Sequence, residues 1–221
     1  MEVTLRSDGK GSLSQRIIIV GAGGFGRELK VGLETYGGYE VLGFIDDISR
    51  DPAVLGSIVG HRPIADVKYL VALGQSQDRL RVGLNLLKEG AQLGSVVSPR
   101  ALVANTYSDR PGTILLGMSD VSANVALGRL VVIMGFAVIA HDCTIEDGAT
   151  IGNHVFVGGG ATVCEAATLH PHSVILPKRR VGARSIVGAG SVVTRDVPPD
   201  CTVFGSPAMI LSSHGIKPVP F

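Results

Sequence analysis

The chain contains no tryptophan, and only 5% of its residues are aromatic. It has no stretch of 18 or more apolar residues, so a transmembrane helix is excluded even though the mean hydropathy is +0.35. It lacks a charge imbalance: the net charge is +1 with 18% charged residues, which implies no broad basic surface for nucleic acid. Its three cysteines (Cys143, Cys164, Cys201) are odd in number and have no metal-type spacing. They favour a reducing, cytoplasmic setting over a disulfide framework. There is no Gly-X-Y period, so 30 glycines do not make a collagen, and a 45% hydrophobic content excludes a disordered chain. The polar start, MEVTLRSDGKGSLSQ, lacks the apolar stretch of a signal peptide, and residues 1–15 are expected to be flexible. What remains is a chain of 221 residues, room for one large domain or two small ones, that is aliphatic and glycine-rich for a stated structural reason still to be found.

Residues 16–98 read as alternating strand and helix, the pattern of a small parallel α/β domain. Ile17 to Val20 is a four-residue aliphatic run, the mark of a buried strand. GAGGFG follows, with Gly21, Gly23 and Gly26 in G-x-G-x-x-G positions, and then a helix ending near Gly37. Tyr39 to Ile45 and Val67 to Gly74 read as further strands, Asp78 to Gly90 as an amphipathic helix, and a short strand near Val96 is expected to finish the unit. Bare backbone amides at a helix N-terminus attract phosphate. Asp46 lies 20 residues beyond Gly26, where a carboxylate meets a ribose hydroxyl in dinucleotide folds. The unit is half the size of such a fold. It is therefore open to a dinucleotide, to a single nucleotide-type ligand, or to a glycine turn serving only packing.

Residues 99–211 carry an internal repeat. Stepping by six from Leu115 reaches Val121, Leu127, Ile133, Ile139, Ile145, Ile151, Val157, Val163, Leu169, Ile175, Val181, Val187 and Val193: fourteen aliphatics without a break. Four residues after most of the aliphatics the residue is small (Ser119, Ala137, Ala149, Ala161, Ala167, Ser173, Ser185, Ser191), with Arg179 the large exception. A six-residue side suits a triangular prism of three short parallel strands per coil of 18 residues. The aliphatic points inward, the small residue sits at the corner, and glycine or Asn is expected in the tight turn. The narrow interior accounts for the scarcity of large rings.

Residues 18 apart should stack on neighbouring coils, about 4.8 Å apart. His141 is followed by Asp142, and one coil beyond it lies Gly159, within Gly158-Gly159-Gly160. An imidazole serves as a general base near neutral pH, a neighbouring carboxylate fixes its tautomer, and backbone N–H groups support an oxyanion. An exposed histidine on a turn is the alternative. His154 and His172 also differ by 18. Zinc needs a third ligand that the spacing does not supply, which leaves a solvated pair as the other reading. Lys178, Arg179, Arg180 and Arg184 form a basic cluster suited to phosphates or simply to solvent.

An α/β unit opening with IIIVGAGGFG, followed by hexapeptide repeats carrying AHDC, resembles the bacterial nucleotide-sugar N-acetyltransferases, left-handed β-helix acyltransferases that include sialic acid O-acetyltransferase-like proteins. The resemblance covers about residues 16 to 211. It implies an acetyl-CoA-dependent N-acetyltransferase acting on a nucleotide-linked 4-amino-4,6-dideoxy sugar for surface glycan synthesis, with no metal, and a homotrimer with active sites between subunits. By that resemblance His141 is the base, Asp142 its orienting acid, and Gly159 an N–H facing the thioester carbonyl. Gly21, Gly23, Gly24, Asp46, Asp47, Gly74 and Arg79 correspond to nucleotide-binding positions. Gly159, Gly160, Ala161, Gly188, Ala189, Gly205 and Pro207 lie along the acetyl-CoA groove. The chain departs from the family at Met134-Gly135-Phe136-Ala137, where N-T-G-A is common, at Thr150, where a second histidine is common, and at Met209, where lysine is usual. O-acetylation of a sugar hydroxyl and a non-catalytic nucleotide-binding scaffold are the alternatives. Residues 212–221 are expected to form a tail.

Overall fold

The structure is a computed structural model that describes residues 14–104, 108 and 110–213. Residues 1–13 of the expected flexible start and 214–221 of the expected tail lie outside the described residues. The first sheet uses β1 (Gln15–Val20), β2 (Tyr39–Ile45), β3 (Val54–Gly56), β4 (Lys68–Val71) and β5 (Gln92–Leu93), with helices α1 (Gly24–Tyr36) and α2 (Ser76–Lys88). All five strands are parallel, in the order β3-β2-β1-β4-β5. The central strand is Ile17-Ile18-Ile19-Val20 with every side chain at 0% exposure, because both faces are covered. Ile17 and Ile19 pack with Leu29 and Leu33 of α1, while Ile18 and Val20 pack with Leu80, Val82 and Leu86 on the α2 side.

The strand expected near Val96 belongs elsewhere. Val96–Val97 pairs with Ile114–Leu115 and opens the second domain, a left-handed parallel β-helix of two-residue strands. Up to Val193 its strand pairs are offset by 18: Ile133 meets Ile151, Ile139 meets Val157 and Ile145 meets Val163; the final pair, Ile186 with Thr202, is offset by 16. Two further aliphatics in the same register, Val103 and Val97, lie 12 and 18 residues before Leu115 and pack against the same core. From Ile133 onward every aliphatic in the series is at 0% exposure. Burying each contributes about 1.5–3 kcal/mol. The small residues Ala137, Ala149, Ala161, Ala167, Ser173, Ser185 and Ser191 are also at 0%.

The turns differ from expectation. Every sixth residue from Asn124 to Gly190 takes a left-handed conformation, and most of these are not glycine: Leu130, Phe136, Asp142, His154, Ala166, His172, Lys178 and Arg184 have φ between 51 and 61°. The glycines directly after the aliphatics do a different job. A Cβ on Gly158 would lie 2.6 Å from Pro177 N and 2.8 Å from Ile175 O on the next coil, so the residue is small for clearance and not for φ.

The α/β domain covers one prism face. Val96, Ile114, Leu116 and Val132 join the core on the α1 side, and Leu130 and Ala166 join the α2 side. Strands Cys201–Phe204 and Met209–Ser213 close the far end of that face as a parallel and then an antiparallel addition. Among the described residues no helix is long and apolar enough to cross a membrane.

Candidate active site

His141 and Asp142 occupy a prism corner, with Asp142 in the left-handed position at φ 60°. That conformation turns the carboxylate back onto the preceding ring: His141 Nδ1 lies 2.7 Å from Asp142 Oδ2. A carboxylate only accepts, so Nδ1 carries the proton and Nε2 is left as the basic nitrogen. One coil earlier at the same corner, Asn124 Nδ2 donates to Asp142 Oδ1 at 3.1 Å. The hydrogen bond from His141, and then that from Asn124, hold the Asp142 carboxyl below its usual range. Asn124 is a site residue that the sequence reading missed. Its signal was arithmetic, since 124 is 18 before 142.

Gly159 lies directly under the imidazole. A Cβ there would sit 2.8 Å from His141 Cε1 and 2.9 Å from Nε2. The Gly159 N–H donates to nothing among the described residues, whereas Gly160 N–H is committed to the His141 carbonyl at 2.9 Å. The corner therefore places a tautomer-fixed imidazole over a backbone N–H that no described residue occupies. Cys143 is 1% exposed, its Sγ 3.2 Å from the Gly158 carbonyl, and burial pushes its thiol up. It fills the small-residue slot.

The glycine loop separates into two functions. Gly21 is buried at φ 103° and its N–H is spent on the Ile45 carbonyl at 2.9 Å, so it makes the turn and offers no ligand contact. Gly23 and Gly24 are exposed, with nothing within 4 Å of a Cβ. They open α1, which has no side-chain cap and no acidic residue in its first turn, a combination that leaves its positive end available to an anion.

Asp46 is held by backbone amides. Its Oδ2 accepts from Ala22 N–H at 2.8 Å, and its Oδ1 accepts from Ile48 and Ser49 at 2.8 and 2.7 Å. Burial raises its pKa, but these three amides outweigh it and leave the carboxyl below its usual value. Asp46 thus fastens the glycine loop to the turn after β2. Asp47 does the same for the next loop, accepting from Ser57 Oγ and from the amides of Ile58 and Val59 at 2.8 and 3.1 Å.

Arg79 is 1% exposed and spends its guanidinium on hydrogen bonds within the protein. Nε donates to the Leu130 carbonyl at 3.0 Å, Nη1 to Leu73 at 3.0 Å, and Nη2 to Gly148 at 2.7 Å and to Thr150 Oγ1 at 2.6 Å. Burial lowers its pKa to about 10. Ser76 Oγ joins through Thr150 and Thr168 at 2.7 and 2.8 Å. This network staples α2 to the prism. Beside it, Gly74, Phe25 and Glu28 face Met134, Asn153, His170 and Pro171 across a cavity of about 300 Å³. His141 does not line that cavity.

Of the groove positions, Ala161 is at 0% exposure with its side chain inside the prism, so it offers a ligand nothing. Ala189 and Pro207 are exposed, Gly188 is half-buried, and Gly205 takes φ 104° before a cis Ser206–Pro207 bond. In the basic cluster, Arg179, Arg180 and Arg184 pair with Asp196, Glu146 and Asp200. Lys178, two coils below Asp142, forms no ion pair among the described residues. His154 and His172 stack as expected, with ring centroids 4.8 Å apart. Among the described residues no three His, Cys, Asp or Glu side chains gather to hold a metal ion.

Residues 16–84 match the PglD N-terminal domain, and residues 124–159 match the bacterial transferase hexapeptide (six repeats). The chain thus carries a match to a PglD N-terminal domain followed by a match to hexapeptide repeats. Among solved structures it is similar to GDP-perosamine N-acetyl transferase from Caulobacter crescentus, crystallised as a histidine-to-alanine mutant with CoA and GDP-perosamine. Identity is 28%, the TM-score is 0.80, and the match covers 88% of this chain and 95% of that one. WeeI from Acinetobacter baumannii AYE matches at 25% identity and a TM-score of 0.68, over 88% of this chain and 99% of that one. Among curated proteins, the acyl-[acyl-carrier-protein]–UDP-N-acetylglucosamine O-acyltransferase of Pseudomonas paraeruginosa is 34% identical over 96 residues, 43% of this chain. The match spans only 37% of that enzyme's length.

Proposed function

We infer that the protein transfers an acetyl group from acetyl-CoA to the amine of a nucleotide-linked amino sugar, in the biosynthesis of a surface glycan. The observation that carries this reading is the corner at which a carboxylate-fixed His141 stands directly over the free N–H of Gly159. The sugar amine attacks the thioester carbonyl, forming a C–N bond, and His141 Nε2 takes the proton the amine loses. Asp142 steadies the resulting imidazolium, and Asn124 holds Asp142. Gly159 N–H donates to the oxygen as it gains charge. The C–S bond then breaks, and the proton passes from His141 to the departing CoA thiolate.

The nucleotide diphosphate lies at Gly23 and Gly24, and the sugar enters the cavity between α1 and the prism. Because His141 lies away from that cavity, a second copy of the chain must present its own corner there. Val138 and Phe156, outward-facing and 37% and 41% exposed, provide apolar surface for such a contact, and a homotrimer is the arrangement proposed. The fold match to a GDP-perosamine N-acetyl transferase supports an amine acceptor. A hydroxyl acceptor is the second reading, favoured by the O-acyltransferase similarity over 96 residues.

CoA release from acetyl-CoA is to be measured with a panel of nucleotide-linked amino and hydroxy sugars. Turnover with an amino sugar, reduced about 10²–10⁴-fold in His141→Ala, is expected. Release with no sugar of either kind would sink acetyl transfer. Turnover confined to hydroxy sugars would favour the second reading.

A further inference from the structure

The link from β3 to β4 contains neither helix nor strand over residues 57–66. Gly60 and Pro63 oppose a helix there, so the chain crosses the α2 side of the sheet as bare loop. Its one backbone–backbone hydrogen bond among the described residues runs from His61 N–H to the Ile58 carbonyl, at 3.3 Å. Two side chains hold it instead. Asp47 Oδ1 accepts from Ser57 Oγ and from the amides of Ile58 and Val59. The hydroxyl of Tyr69, a residue at 0% exposure, accepts from Ile64 N–H at 3.0 Å and lies 2.8 Å from His61 Nε2. Between this doubly clipped segment and α2 lies a cavity of about 760 Å³. The acetyl-transfer chemistry uses neither the cavity nor the clips.

The Tyr69 clip has one workable protonation state. The phenol oxygen already accepts from Ile64, and its own buried proton needs an acceptor. His61 Nε2 is the acceptor in reach, so Nε2 carries no proton and Nδ1 does. Protonating the ring turns Nε2 into a donor and leaves the phenol proton without a partner. Arg62 from the loop and Arg81 and Lys88 from α2 line the same cavity and oppose the added charge. Of the two carboxylates lining it, Asp47 is committed to its own clip, which leaves only Glu89 to favour the charge. Burial likewise pushes the imidazole pKa below its ordinary value of 6.5. The Asp47 carboxyl is held below its usual range, first by Ser57 Oγ and then by the Val59 amide, so its clip stays closed in mild acid.

We propose that residues 60–66 form an acid-released strap: protonation of His61 breaks its bond to Tyr69, and the segment swings out and opens the cleft against α2. The swing has a hinge at each end, Gly60 at φ 75° and Asp66 at φ 60°, followed by Val67 at 1% exposure. Residues 57–59 stay on Asp47, so the motion stops short of Asp46 and the glycine loop. The latched form binds the proton more weakly than the open form. Latching is therefore complete above about pH 6.5 and is lost as pH falls through the lower latched value.

Hydrogen–deuterium exchange of the full chain, read residue by residue by NMR and corrected for the intrinsic pH dependence of exchange, tests the strap without reference to turnover. From about pH 7.5 to about pH 5, protection of the Ile64 amide should fall by up to about tenfold per pH unit, the slope of one proton. The Ile58 and Val59 amides should keep theirs. His61→Gln retains an acceptor for the phenol but takes up no proton, and it should hold Ile64 protected across the whole range. Tyr69→Phe keeps the ring in the core and removes the clip, so Ile64 should be unprotected at every pH. Wild-type protection of Ile64 that does not change with pH overturns the proposal. So does an acid loss that persists in His61→Gln, which would place the titrating group elsewhere. Loss of Ile58 and Val59 protection together with Ile64 would overturn the hinge at Gly60.

Discussion

Gly159→Ala isolates the contact between the two halves of the proposed catalytic corner. The backbone accepts alanine, since the φ of Gly159 is not in the left-handed region, but the new methyl would lie 2.8 Å from His141 Cε1 and 2.9 Å from Nε2. Ordinary carbon contacts begin near 3.5 Å, so the ring must retreat by about 0.7 Å. It is free to do so, with its side chain 69% exposed, and the fold therefore keeps its stability. The retreat stretches or breaks the 2.7 Å bond from Nδ1 to Asp142 and moves Nε2 off the reacting amine. A displacement approaching 1 Å costs up to about 10²-fold in rate, so kcat is expected to fall roughly 10–100-fold with an unchanged Tm. Steady-state CoA release and a thermal melt measure the two quantities. Because the methyl acts through the histidine, His141→Ala combined with Gly159→Ala should be no slower than His141→Ala alone, to within about twofold. A Gly159→Ala enzyme with full kcat, or a double variant that loses the product of both effects, would refute the argument.

Three further outcomes follow from the geometry. Arg79→Met strips donors from the carbonyls of Leu130, Leu73 and Gly148 and is expected to cost about 3 kcal/mol, read by calorimetry as a Tm lower by roughly 6–12 °C; an unchanged Tm would contradict the staple. Cys143→Ala should keep kcat within about twofold, since alanine already fills that slot in other repeats, and a hundredfold loss would instead revive the thiol as nucleophile. Asp46, with its pKa depressed in the fold, contributes loop order fully above its unfolded pKa near 3.8 and loses it as pH falls through the lower folded value. Binding of a nucleoside diphosphate should accordingly show no Asp46-dependent step above about pH 5. In Asp46→Asn, which keeps only one acceptor oxygen, affinity should drop even at pH 7, as titration calorimetry would detect.

The parts of this molecule that sequence revealed are those governed by a period. A fixed stride of six put Ile133, Ile139 and Ile145 inside, and a stride of 18 put Gly159 beneath His141, because each coil repeats the backbone of the last. The same stride held Asn124 beside Asp142, where it went unread. What escaped lies between periods or between domains. Arg79 sits on an amphipathic helix like any solvent-facing arginine, and only the approach of Leu130 and Gly148 from the prism encloses it. Asp46 stands at a distance that suits a ribose, but the amide of Ala22, 24 residues back, reaches it first. Val96 is as aliphatic as the strands of the first sheet. Its partner Ile114, and not its composition, assigns it to the second.

The offset of 18 residues between paired strands also makes the length of this chain a quantised property. Removing a single residue inside the prism would swing every later inward aliphatic toward solvent and carry each subsequent corner off its edge. Excising 18 contiguous residues would leave the cross-section intact and merely shorten the column by about 4.8 Å. The separation between the Asp142 corner and Lys178 is two such quanta. Lineages of this architecture can therefore vary in whole turns without rebuilding a core, whereas a change of any other size has to be absorbed outside the prism.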